Sequence, residues 1–462
     1  MVRFVRTPFV ALVLVMALVL VACDGSGGDS TSTSGGPDST TGSTLPGETT
    51  TTTEAPVTSL PPDAVPGETS PSISPEVESA MRADIGVLIL EVEETRALPF
   101  LEIPTVTILD EADFTARVNA QLTEDIDSEE IAGTEALLKL LGMLAPDDDF
   151  EAMLIDLYTE QVAGFYDPET GEMVVPVSLD GITPLQEVVI AHELIHALTD
   201  QHFDFNDEYE RRVDDGVGDD ASAMLGLVEG DATYQQFLYL ESLDPGEAAA
   251  AALEALQIDT SVLRASPRWL QLDLAFPYEQ GLIWADAIID DGGLRALDEA
   301  YQAPPTTTEQ ILDPNTYLRN EQPLDLAPLA VDLAGWELFD EATWGEWGTR
   351  LMLLEVLTPG NLAQATAGWG NDTYRVFLNG SDTAFVWSYL AETVEDAEDL
   401  TNALIAMSRD QMGATDAQES GGGLLFAGGD PYVFIDRIDD QIFYVASTDA
   451  TAGADLRDQL GL

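Results

Sequence analysis

Apolar residues recur along most of the chain at two spacings, and the switches between them sketch the fold. Val77, Met81, Ile85, Leu88 and Val92 fall three or four residues apart, which predicts a helix over 76–97. Thr105–Leu109 is β-branched and apolar and predicts a strand. Helical patterns follow over 111–124, 128–144 and 147–163. The run Tyr166-Asp167-Pro168-Glu169-Thr170-Gly171-Glu172 then has turn chemistry, and Met173-Val174-Val175-Pro176-Val177 reads as a strand. Pro176 has no N–H to give a ladder, so that strand is expected at a sheet edge. Thr183 is placed to cap a helix, with Pro184 at its first position and Gln186 to close a capping box. The helix should run to about His202. Further helices are predicted over 219–242 and 246–256. Residues 265–330 extend the same region. Beyond it, Gly335–Leu357 and Glu395–Met407 read as helices, and Tyr374–Leu378, Phe385–Tyr389, Tyr432–Ile435 and Gln441–Val445 as strands. The expectation is an α+β protein, with a larger domain over 76–335 and a smaller α+β module over 336–462.

The first 75 residues follow neither period. Arg3 and Arg6 precede an unbroken apolar run of 14 residues, Phe9 to Ala22. A membrane-spanning helix needs about 20, whereas a signal-peptide core is this short. Ala22-Cys23 at its end resembles a bacterial lipobox, and Cys23 is the one cysteine of the chain. The resemblance implies cleavage after residue 22, a lipid on Cys23 and a protein anchored outside the cytoplasm on the cell membrane. From Asp24 to Pro75, 38 of 52 residues are Thr, Ser, Gly or Pro. Such a segment buries too little to offset its ordering entropy, and residues 23–75 read as a disordered tether spanning roughly 40 Å.

Charge narrows the partners. Acids outnumber bases 85 to 17 over 462 residues, a formal net charge of -68. That excludes a nucleic-acid binder working by phosphate neutralisation and excludes docking on anionic lipid through basic patches. A lone cysteine leaves no intramolecular disulfide and no cysteine metal cluster.

The three histidines of the chain all lie between 192 and 202. The predicted helix carries Ala191-His192-Glu193-Leu194-Ile195-His196-Ala197-Leu198. Residues four apart share a helix face, so His192 and His196 aim both imidazoles at one point, a geometry suited to zinc. Glu193 points elsewhere around the helix, where it can reach a water activated by the metal. This is the H-E-x-x-H pattern of zinc peptidases. Two residues compete to be the third ligand. His202 stands at metzincin spacing, with Thr199 where that pattern has a glycine. Glu229 lies in Glu229-Gly230-Asp231-Ala232-Thr233-Tyr234 on the next predicted helix. E-G-x-A-x-Y there resembles the third-ligand motif of gluzincins. Thr233 occupies the position where thermolysin-like enzymes carry a supporting Asp, and Asp231 is a poor substitute for it. Gly226 and Gly230 are expected to let this helix approach the first one closely.

The resemblance extends further. Glu160-Gln161-Val162-Ala163-Gly164-Phe165-Tyr166-Asp167, the H-E-L-I-H-A-L-T-D-Q-H-F-D run, Phe276-Pro277-Tyr278-Glu279-Gln280-Gly281, Pro304-Pro305-Thr306-Thr307-Thr308-Glu309-Gln310-Ile311-Leu312 and Gly368-Trp369-Gly370 together resemble a family of bacterial extracellular proteins with a gluzincin-like peptidase domain. Asp313 departs from it, standing where a histidine is expected. The resemblance implies a zincin-like fold and a zinc metallopeptidase in which His192, His196 and Glu229 hold zinc and Glu193 acts as base on a peptide or protein substrate. A tyrosine must then serve as oxyanion donor, with Tyr278 and Tyr234 as candidates. The strand 173–177, if an edge, could hold the peptide. A reading from another class is a non-catalytic surface module with structural zinc; Glu193 separates the two, because a structural site has no use for it. Trp336, Trp344, Trp347 and Trp387 read as core, and Gly421-Gly422-Gly423 as a loop.

Overall fold

The computed structural model describes residues 59–462 apart from 162, 215–217 and 429–430. The expected signal peptide, Cys23 and most of the tether therefore lie outside the described residues. Among those described, no helix is long and apolar enough to cross a membrane. The chain is α+β, as expected: a helical region with a small sheet, then a module built on a seven-stranded antiparallel sheet.

Four long helices build the first region: α1 (Pro75–Arg96), α2 (Pro184–Phe203), α3 (Gly218–Ser242) and α4 (Arg268–Gly292). The small sheet has three strands, β1 (Thr105–Leu109), β2 (Phe165–Asp167) and β3 (Glu172–Pro176), in the order β1-β3-β2. β3 is thus the central strand, parallel to β1 and antiparallel to β2, and the edge placement expected from Pro176 is wrong. Pro176 is tolerated because it sits on the last rung, opposite Leu109, and the next residue takes over the ladder, Val177 N–H donating to Leu109 O. A peptide cannot add to β3, since both its sides are taken.

Residues 59–74 also depart from the composition-based reading. They do not behave as tether but pack along the outer side of β1, with Val106 N–H donating to Pro66 O and Ile108 N–H to Glu68 O. Val65 and Ile73 enter the core. The Arg82 guanidinium on α1 fastens this strap, donating to Val65 O, Gly67 O and Thr69 Oγ1.

Behind β1 and β3, Met81, Ile85, Leu88, Ile89 and Val92 of α1 meet Val188, Ile190, Ala191, Leu194, Ile195 and Leu198 of α2 in one apolar cluster. The spacing of α1 is that of a single apolar stripe. By contrast α3 is buried almost all round. α3 and α4 cross with backbones in contact: a Cβ on Gly230 would overlap Gly281, and one on Gly281 would overlap Gly226 O. Gly226 and Gly230 therefore bring α3 against α4 and against Ile311, not against α2 as the sequence suggested.

The second sheet runs β4 (Glu337–Ala342), β5 (Trp369–Asn379), β6 (Asp382–Ala391), β10 (Gln441–Ser447), β9 (Tyr432–Ile438), β8 (Gly423–Gly428), β7 (Thr415–Ser420). Strand residues alternate between its faces. Phe385, Trp387 and Tyr389 face the largest core, which also takes in Leu137, Leu141, Phe150, Trp269 and Leu270 from the first region. Ala384 and Val386 face the other side, under Leu456 of the last helix and Leu329–Leu333. The helix expected over Gly335–Leu357 is split: 337–342 pairs with β5 as β4, and only Gly345–Leu353 is helical. Gly345 forces the break, with φ +77 and no room for a Cβ beside the Asp219 carboxylate. Trp344 and Trp387 are buried and Trp336 and Trp347 half-buried. Gly421 and Gly422 turn the chain between β7 and β8, whereas Gly423 is the first residue of β8.

Candidate metal centre

The centre begins with how α2 starts. Thr183 Oγ1 accepts from Gln186 N–H at 3.3 Å, Gln186 Oε1 accepts from Thr183 N–H at 2.9 Å, and Pro184 opens the helix. This cap fixes the register from which His192 and His196 follow, two turns inside. Both imidazoles and the Glu193 carboxylate have no solvent exposure, and Glu229 is 3% exposed.

The rings of His192 and His196 lie 4.7 Å apart, centre to centre, with their Nε2 atoms 3.0 Å from each other. Glu229 Oε2, from α3, is 3.1 Å from His192 Nε2 and 3.4 Å from His196 Nε2. One ligand atom from each of the three falls within 4.8 Å of the others, and among the described residues this is the group of that kind found. On the other side of His192, Nδ1 is 2.8 Å from Gln236 Oε1. An amide oxygen only accepts, so Nδ1 carries the proton and Nε2 keeps its lone pair toward the group.

The charges fit the geometry. Burial pushes the His192 imidazole below its ordinary value, outweighing its hydrogen bond to Glu229, and so favours the neutral ring that a metal requires. Burial alone would raise the Glu229 carboxyl, but His196 and then His192 outweigh it and hold it down at about 2. Burial, with the Glu229 charge adding to it, pushes the Glu193 carboxyl well up.

The rivals fall elsewhere. His202 Nε2 donates to Pro99 O at 2.7 Å and its ring lies 6.0 Å from Phe203, outside the group. Asp231 faces away from the imidazoles, paired with Arg96 at 3.0 Å and accepting from Tyr301 Oη at 3.1 Å. Of the two tyrosines, Tyr278 is buried with its ring 6.3 Å from His192. Tyr234 instead lies among Asp286, Asp290 and Glu241, which add to burial in raising its hydroxyl. Asp313, where the resemblance led to the expectation of a histidine, caps the short helix Pro314–Leu318.

Residues 336–457 match the model of a family described as "Domain of unknown function (DUF8575)". No curated protein and no solved structure matches the chain. The match covers the sheet module and stops short of the histidines, so it is silent on the metal centre.

Three site residues were not anticipated. Gln236 stands seven residues after Glu229, two helical turns on the same face, and that spacing could have revealed it. Asp200, one turn after His196, accepts from Tyr166 Oη at 2.9 Å, and burial raises its carboxyl to about 6 against a smaller pull from His196. Tyr209 is half-buried, near enough to Glu229 for that charge to add to burial and to Tyr158 in raising its hydroxyl. Several of the segments that carry the sequence resemblance prove to be supports: Thr308 donates to Asp219 in the first turn of α3, and Gly281 makes the close crossing with Gly230.

Two imidazole nitrogens and one ionised carboxylate oxygen are a donor set suited to zinc, which takes such ligands and keeps a fourth position open at catalytic sites. Atoms this close are held together either by a proton on His196 Nε2 or by a cation between them, and the three residues could hold a metal ion.

Proposed function

We propose that the chain is a zinc-dependent peptidase anchored by lipid outside the cytoplasm. The observation that carries this reading is the convergence of His192, His196 and Glu229, with one ligand atom each within 4.8 Å, on a helix where Glu193 adjoins the first ligand. His192, His196 and Glu229 would hold the metal. When bound, zinc supplies Lewis acidity that acidifies water and polarises a scissile carbonyl. Glu193 takes the proton from the attacking water onto its carboxylate. As the C–N bond breaks, it returns that proton to the leaving amine. Gln236 keeps His192 in the required tautomer, and Tyr278 is the candidate donor to the developing oxyanion. Membership of the gluzincin-like family rests on the H-E-x-x-H and E-G-x-A-x-Y resemblance. The anchor rests on the Ala22-Cys23 sequence; Cys23→Ser should leave the protein unanchored in the soluble fraction.

The near-complete burial of the group favours a second reading, a non-catalytic module with structural zinc. Glu193 decides between them. Glu193→Gln should retain one zinc per chain and lose hydrolysis of an unstructured protein such as casein by orders of magnitude. Hydrolysis at the wild-type rate in that variant would refute the mechanism, and a wild-type protein that holds zinc without cleaving anything would favour the structural module.

A further inference from the structure

α1 ends in a charged residue with no exposure at all. Arg96, its last residue, is 0% exposed and lies behind the metal centre. Its Nε is 3.0 Å from Asp231 Oδ2, and its Nη2 is 2.7 Å from Asp298 Oδ1. Asp231 Oδ2 also accepts from Tyr301 Oη, whose ring stacks on Phe203 at 4.5 Å. Phe203 is the last residue of α2. One guanidinium thus ties together the end of α1, the middle of α3 and the helix Leu294–Gln302 that carries Asp298 and Tyr301.

Asp231 is two residues from Glu229 on α3, so the two carboxylates leave the helix on nearly opposite faces. Glu229 faces the imidazoles of α2, and Asp231 faces Arg96. Between them in sequence stands Gly230, where α3 meets α4 backbone to backbone. α3 is packed on nearly every side, and on the face opposite Glu229 the guanidinium of Arg96 adds a charged tie that packing alone does not give.

We propose that Arg96 is a positioning residue for the metal centre: through Asp231 it fixes the rotation of α3 that brings Glu229 to His192 and His196. The segment Pro75–Arg96 is then a constituent of the centre. This inference rests on the zinc reading above. It also implies reciprocity. If docking of α1 improves zinc affinity, zinc must stabilise the docking of α1 by the same factor.

Arg82 provides a control on the same helix. It too is buried, but its partners are the strap at 65–69, Val106 O of β1 and the neighbouring Glu78. The experiment measures zinc affinity of the full chain by chelator competition, with circular dichroism to report folding. Wild type should bind one zinc; failure there sinks the zinc reading, whatever Arg96 does. Given that binding, Arg96→Gln should weaken zinc at least tenfold, and Arg82→Gln should lower the melting temperature with zinc affinity within about twofold of wild type. Arg96→Lys, which keeps the charge and loses the fork, takes the place of Arg96→Gln if that variant does not fold, and should also weaken zinc. Added zinc should slow amide hydrogen exchange at the C-terminal end of α1 in the wild type and not in the Arg96 variant. Unchanged zinc affinity in the Arg96 variants, or an equal loss in Arg82→Gln, would overturn the proposal.

Discussion

Each half of the molecule has a carboxylate at its centre, and the two are buried alike: Glu229 is 3% exposed and Asp372 1%. Their surroundings differ in kind. Asp372 accepts from Trp344 N–H at 2.6 Å, Gly345 N–H at 2.8 Å, Trp369 Nε1–H at 2.7 Å and Trp387 Nε1–H at 3.0 Å. Four neutral donors saturate both oxygens, and the group is complete as it stands. Glu229 faces two imidazole nitrogens, and the tautomer that Gln236 sets leaves the nitrogen of His192 a lone pair and no proton. That group is one that could hold a cation. Burial of a charge therefore does not by itself mark a site. What marks it is whether the protein supplies the partners or leaves them to a ligand.

The comparison breaks most visibly at Asp372. Asp372→Ala strips the acceptor from four buried N–H groups, each costing about 1–3 kcal/mol when left unpaired. The total rivals the whole stability of a typical domain, so the sheet module should lose cooperative unfolding, seen in the fluorescence of the surrounding tryptophans. Zinc should not rescue it. A folded variant within about 1 kcal/mol of wild type would show that the four donors are not what holds this region.

Metal removal is the matching test in the first region. Chelation should lower the melting temperature of the wild type, since a ligand at a thousand times its dissociation constant adds about 4 kcal/mol. The shift should vanish in His192→Ala, and an equal shift there would place the metal elsewhere.

The contrast also explains how legible each region was. α2 could be read because its information is local: Thr183, Pro184, Gln186, His192, Glu193 and His196 lie within fourteen positions, and helical spacing alone carries them to one face. Glu229 needed a second helix and a resemblance. The Asp372 hub was invisible because its donors come from residues 344, 345, 369 and 387, brought together only by β5, β6 and the turn at Gly345. The same non-locality hid β4, which has no pattern of its own and exists because β5 pairs with it. Pro176 misled for the opposite reason. The local rule about ladders is sound, but the last rung of a central strand satisfies it too.

Smaller effects sharpen the contrast. Thr183→Ala removes one half of the α2 capping box and should cost about 1 kcal/mol without changing zinc stoichiometry. A loss of zinc in that variant would mean that the register of α2 depends on its cap more than on its packed face.

The pH dependence should come from the second region and its border. Burial raises the Asp219 carboxyl to about 7, against hydrogen bonds from Thr308 and with Asp372 adding to the rise. A folded-state value above the unfolded one means that folding favours the protonated form. The associated stability is full below about 4 and is lost as pH rises through about 7. The wild type should therefore melt at higher temperature at pH 6 than at pH 8, and Asp219→Asn should flatten that slope. An unchanged slope in the variant would assign it to other carboxyls, such as Glu309, which burial lifts to about 8 with Glu346 adding to the rise.

The measurement that bears most directly on the central claim is zinc per chain after dialysis, by elemental analysis, on three proteins. The account predicts one equivalent for the wild type, one for His202→Ala, and little or none for Glu229→Ala, with circular dichroism showing all three folded. Zinc kept by Glu229→Ala and lost by His202→Ala, or no zinc in the wild type at all, would contradict it.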